Sequence, residues 1–147
     1  MTTTRVDFYT ASPAALKAML TLEGSIAKLG LEPSLIELVK MRVSQVNGCA
    51  FCLDMHSRDA REAGESERRL YVLPAWRETT LFTPRERAAL AWAEALTLIT
   101  QGHASDADYA EAAAEFNEAE MVNLTLAITT INAWNRFAIG FRKALPA

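Results

Sequence analysis

Residues Glu37 to His56 read ELVKMRVSQVNGCAFCLDMH, and this stretch holds both cysteines of the chain and one of its two histidines. Leu35, Val39, Val43 and Val46 recur at helical spacing up to the stop signal Asn47-Gly48. A further helix is expected from close to Cys49 as far as Gly64, which would cap it. At 100° per residue, His56 falls about 40° from Cys52, Cys49 about 60°, Ala60 about 80° and Ala63 about 20°. One narrow face therefore carries the whole constellation. Asp54, Arg58 and Arg61 lie on the opposite side, so the reactive residues look inward toward a small-residue packing surface.

Outward from this stretch the pattern is helical throughout. Ser12-Pro13 pairs an N-cap with proline at the first helical position, and predicts a helix from about Pro13 to Leu29. Ser66 and Glu67 open a segment that should break near Leu73, before Pro74. Thr83-Pro84-Arg85-Glu86 is a capping-box signature, and the helix after it should reach about Thr100. Ser105 to Asp108 opens a shorter helix ending near Phe116, and Asn117 with Glu120 caps the last one. That last helix is apolar along Leu124, Ala127, Ile131, Trp134, Ala138 and Phe141, and also along Val122, Leu126, Ala133 and Phe137. A helix with two apolar sides is either central or shared with another subunit. The expected fold is all-α, a single-domain bundle of about six to seven helices over residues 1–147, and oligomeric.

A chain of 147 residues, half of them apolar, with six Gly and five Pro, is globular and of one-domain size. Its net charge of -3, with both signs interspersed, speaks against a nucleic-acid partner. Charges such as Glu37, Lys40 and Glu94 interrupt every apolar run short of bilayer length. The opening MTTTRVDFYT lacks the apolar core and cleavage site of a secretory signal, so a cytoplasmic location is expected. Two cysteines spaced C-x-x-C are too few for a disulfide framework, and in a reducing compartment point to redox chemistry or metal binding.

Two thiols at i and i+3 can close a disulfide with little backbone movement. The positive end of the helix dipole favours thiolate at Cys49, which lies nearer the terminus. His56, four residues after Cys52, favours Cys52 instead, because an imidazole there can take the thiol proton. Glu37 could hold that imidazole in the right tautomer if the two helices pack antiparallel. On a wheel, however, Glu37 lies about 200° from Leu35, away from the valine stripe, where amphipathicity alone predicts a solvated residue. A zinc site is a further reading, since Cys49, Cys52 and His56 supply three of the usual four ligands.

Glu37, Cys49, Cys52 and His56, at these offsets, resemble the signature of the alkylhydroperoxidase D-like group in the carboxymuconolactone decarboxylase family. The resemblance implies an all-α homotrimer or homohexamer that reduces hydroperoxides with thiols, without metal or cofactor. It implies that Cys52 attacks the peroxide, that Cys49 resolves the sulfenic acid into a disulfide, and that His56 and Glu37 relay protons. A dithiol reductant protein, lipoyl-bearing or thioredoxin-like, would restore the thiols. The family's best-described branch has a second histidine directly before the peroxidatic cysteine; here that position is Phe51, which implies a shorter relay. Two other readings are a slow-cycling thiol sensor or interaction module and, on the weaker resemblance, a decarboxylase.

Read without the resemblance, each residue has a plainer account. A free cysteine is often a small buried hydrophobe, and a lone histidine a satisfied structural one. His103 reads as surface. Trp92, Trp134 and Phe137 read as core or interface rather than an aromatic binding box. Asn132 and Asn135 read as bonding across a subunit contact or as exposed polar residues.

Overall fold

Most helix starts in the chain are closed by a side chain. The computed structural model describes residues 3–147. A single turn, α1 (Phe8–Ala11), follows the Asp7 cap, and Ser12 caps α2 (Pro13–Ile26) through the Ala15 amide. Next come α3 (Pro33–Asn47), α4 (Ala50–Glu62), α5 (Glu67–Val72) and a 3₁₀ turn (Leu73–Glu78). After these, α6 (Pro84–Thr97), the single turn α7 (Ile99–Gly102), α8 (Asp106–Ala113) and α9 (Glu118–Phe141) complete an all-α architecture without strands among the described residues. Reciprocal capping boxes close α6, α8 and α9: Thr83 with Glu86, Ser105 with Asp108, Asn117 with Glu120. Setting aside α1 and α7, seven helices make up the bundle.

Three expected boundaries shift. α2 stops at Ile26, short of Leu29, and α8 stops at Ala113, short of Phe116. The helix expected to reach Thr100 breaks at Leu98, whose ψ of 40° is non-helical, and resumes as α7. Leu98 and Ile99 are apolar, and no glycine or proline marks the break.

α3 is the centre of the bundle. Its Val39 and Val43 are fully buried with Ala89 and Ala93 of α6 and Leu124, Ile128 and Ile131 of α9. Its other side carries Leu38 and Met41 into a second core with Leu73, Trp76, Phe82 and Leu90. On α9, Met121, Leu124, Ala127, Ile128, Ile131 and Ala138 face the core, whereas Val122 is 69% exposed and Ile139 is exposed too.

α4 folds back along α3 through a tight corner. Gly48 ends α3 at φ +70°, in the left-handed region that glycine enters without strain, and the Cys49 amide bonds back to the Ser44 carbonyl at 3.0 Å. At its far end α4 closes with Gly64 at φ +95°, where the Gly64 and Glu65 amides reach the Arg61 and Ala60 carbonyls. Asn47, Asn132 and Asn135 brace the corner. The Asn47 amide donates at 2.9 Å to both Asn132 Oδ1 and Asn135 Oδ1, and Asn135 Nδ2 donates to Ser44 Oγ at 3.1 Å. Asn135 and Ser44 are wholly buried, so Asn135 is neither surface nor subunit contact. It satisfies polar groups inside the chain, as buried polar atoms must be.

Candidate active site

Cys49 is the N-cap of α4, not part of its first turn: its φ and ψ are extended, and its Sγ accepts the Cys52 amide at 3.3 Å. The two sulfurs are joined in a disulfide, with Cα atoms 5.3 Å apart. Both cysteines are buried, and Ala138 of α9 and Phe51 pack against them. One turn on, His56 is buried on the same face, as the helical spacing requires.

Glu37 does join them. Its Oε2 lies 3.3 Å from His56 Nδ1, because the α3–α4 hairpin brings the start of α3 alongside the middle of α4. Both atoms are buried, and the contact falls outside hydrogen-bond geometry. It is an electrostatic contact that a small rotation would align, as catalytic hydrogen bonds often do only on substrate binding. Burial pushes the Glu37 carboxyl up, but His56 and Lys40 together outweigh it and hold Glu37 below the usual carboxylate range.

Two residues beyond the expected four belong to this arrangement. Lys40, nearly buried on α3, lies 3.5 Å from Glu37 Oε1 and donates to Glu23 Oε1 of α2. Glu23 Oε2 in turn accepts Trp134 Nε1 at 3.1 Å. The Glu37–Lys40 spacing of three residues is a signal for that pair. Nothing local in the sequence marks Glu23, which comes from another helix.

A cavity of about 540 Å³ opens over this row. Phe8, Tyr9, Leu16, Phe51, Met55 and Trp134 give it apolar walls, and Glu23, Lys40, Glu37 and His56 form a polar strip along it. Trp134 packs against the main core, as expected, and lines this cavity as well. Cys52 lines the cavity as well; Cys49 does not. Phe51, at the position of the absent second histidine, contributes wall instead of a proton carrier. His103 is exposed, as expected. Among the described residues no group of three or more His, Cys, Asp or Glu side chains is arranged to hold a metal ion. No described helix is long and apolar enough to cross a membrane.

The sequence profile of the carboxymuconolactone decarboxylase family matches residues 13–95. The uncharacterised protein YdfG of Bacillus subtilis is 42% identical over 135 residues, covering 92% of each chain. A crystal structure of an Agrobacterium tumefaciens protein of unknown function, provisionally assigned as an AhpD antioxidant defence protein, superposes with a TM-score of 0.95 at 43% identity over 99% of both chains. The alkyl hydroperoxide reductase AhpD of Solibacter usitatus is 42% identical over 59 residues, which are 40% of this chain and 30% of that protein. With the profile spanning more than half of it and full-length relatives spanning nearly all, this chain belongs to the alkylhydroperoxidase D-like group of the carboxymuconolactone decarboxylase family.

Proposed function

We propose that the protein is a thiol peroxidase that reduces hydroperoxides through a Cys49/Cys52 dithiol–disulfide cycle. The observation that carries this reading is the position of Cys52: it lines an apolar cavity while bonded to a partner cysteine that does not. In the reduced enzyme His56 takes the Cys52 proton. The thiolate attacks the distal peroxide oxygen, the O–O bond breaks, and the proton returns to the departing alkoxide as alcohol. Cys52 is then a sulfenic acid. Cys49 attacks its sulfur, water leaves, and the disulfide forms. An external dithiol restores both thiols and is itself oxidised to a disulfide.

The depth of the sulfurs bears on the donor. Cys49 is 1% exposed and Cys52 2%, so a dithiol must enter the cavity to reach them. A lipoyl group on a flexible arm is narrow enough, which supports a lipoyl-bearing donor over a thioredoxin-like surface. We also read the chain as one cytoplasmic domain that assembles as a homotrimer or homohexamer. The exposed apolar side of α9 around Val122 supports a subunit contact.

The test is steady-state consumption of cumene hydroperoxide and hydrogen peroxide with dihydrolipoamide and thioredoxin as alternative donors. Turnover by the wild-type chain, abolished by Cys52→Ser, is the expected result. Wild-type rates in Cys52→Ser would sink the mechanism. Substoichiometric peroxide loss followed by arrest would favour a thiol sensor.

A further inference from the structure

The half-buried carboxylates Glu23 and Glu37 and the buried Lys40 and His56 form one alternating row, Glu23–Lys40–Glu37–His56, from α2 through α3 to α4, and the thiol chemistry proposed above uses only its last member. Lys40 stands between two half-buried carboxylates that would otherwise face the same cavity without a cation between them. Its Nζ donates to Glu23 Oε1 and lies 3.5 Å from Glu37 Oε1, while the other Glu37 oxygen faces His56. Trp134 anchors Glu23 from α9. A lysine so nearly buried normally requires such pairing, and solvation alone does not account for its place.

We propose that Lys40 is a positioning residue: paired with Glu23, it keeps Glu37 an acceptor, and Glu37 thereby holds the proton of neutral His56 on Nδ1 and leaves Nε2 free as the base for Cys52. The inference rests on the peroxidase reading for its purpose, but its geometry concerns the imidazole alone. Without Lys40, two half-buried carboxylates lose the cation between them, and Glu37, the less exposed of the two, takes up a proton more readily. A protonated Glu37 becomes a donor to Nδ1. The imidazole proton then moves to Nε2, and the base is lost.

Other groups around Glu37 do not replace Lys40. α4 brings Asp59 to the same cavity, an added negative charge, and α1 brings Tyr9. On the other side of Glu37 a second cavity reaches Glu65 and Arg69, but Arg69 is already engaged by Glu65 and Glu86. Lys40 is thus the cation that Glu37 depends on besides His56 itself, and that dependence makes a pH signature.

The experiment measures alkylation of Cys52 by iodoacetamide in the reduced protein, resolved by peptide mass spectrometry, from about pH 6 to pH 9. Lys40→Met is expected to slow alkylation about tenfold at the acid end and by less than about twofold at the alkaline end, where Glu37 is ionised again. The double variant Glu23→Gln/Lys40→Met, which leaves one carboxylate, is expected to recover most of the loss, and Lys40→Arg nearly all. A loss that is the same at every pH, or a double variant no faster than the single one, would overturn the proposal. Should Lys40→Met fail to fold, the ¹⁵N shifts of His56 in the reduced wild-type protein decide: Nδ1 protonated supports the role, Nε2 protonated refutes it. Peroxide turnover is assayed separately. An inactive wild type that shows these alkylation and tautomer results would remove the peroxidase reading and leave Lys40 in its role.

Discussion

Cys49 Sγ accepts the backbone amide of Cys52, so the first cysteine caps the helix that carries the second. Serine at the same position makes this bond at least as well, since serine is among the strongest N-caps. Under reducing conditions, Cys49→Ser should match the wild-type chain in urea stability, while Cys49→Ala should lose about 1 kcal/mol. Equal stability of the two variants would show that the cap contributes nothing.

Asn135 ties the corner before Cys49 to α9. Replacing it by leucine keeps the volume but leaves Ser44, which is wholly buried, without its donor, and takes one acceptor from Asn47. Stranding such groups costs about 1–3 kcal/mol. Urea denaturation of Asn135→Leu should show a loss in that range, and Asn132→Leu a smaller one, because Asn132 is only half-buried. The reverse ranking would mean that the corner is held from Asn132.

The cysteine face of α4 was legible because it needs nothing beyond the 100° period of one helix. Glu37 was not, and the reason lies in α3. The wheel assumes one buried side, but α6, α9 and α4 pack around this helix, so Lys40 and Ser44 are buried on sides where polar residues imply water. They are accommodated by partners from other helices, which periodicity does not show. The same holds for Asn135, whose partners lie on α3. Apolarity on two sides of α9 pointed to a helix either central or shared with another subunit; α9 does pack on α2, α3, α4, α6 and α8, yet Val122 on its other side is exposed. Caps were the most readable feature. Thr83, Ser105 and Asn117 act within three residues of themselves.

Glu94 ties α6 to α3 and to the 3₁₀ turn through its carboxylate, which meets Arg42 of α3 at 2.7 Å and, from the turn, Trp76 Nε1 at 2.9 Å and Arg77. Burial pushes this carboxyl up, and the bonds from Arg77, Trp76 and Arg42 overcome it, so its value lies below the ordinary 4.5. A group lowered on folding stabilises the fold fully above its unfolded value, and that contribution fades as pH falls through the folded one. The stability difference between wild type and Glu94→Gln should therefore be largest near about pH 6 and shrink toward about pH 3. Paired urea melts across this range measure it. A difference that stays constant would mean that Glu94 acts by shape and not by charge.

The cavity treats the two cysteines unequally, and this asymmetry makes the order of oxidation testable. Cys52 lines the cavity beside His56, whereas Cys49 lies behind it, capping α4. A peroxide entering the cavity meets Cys52 first. Cys49 has the better claim on the helix dipole, since it stands at the N-terminus of α4, but a favoured thiolate that the substrate cannot reach does not react. In Cys49→Ser the sulfenic acid on Cys52 has no resolving thiol within the chain. One equivalent of cumene hydroperoxide should then yield about one equivalent of dimedone adduct at Cys52 by mass spectrometry. Cys52→Ser should give almost none at Cys49. Comparable labelling of both variants would mean that reach does not decide the nucleophile, and the dipole argument for Cys49 would prevail.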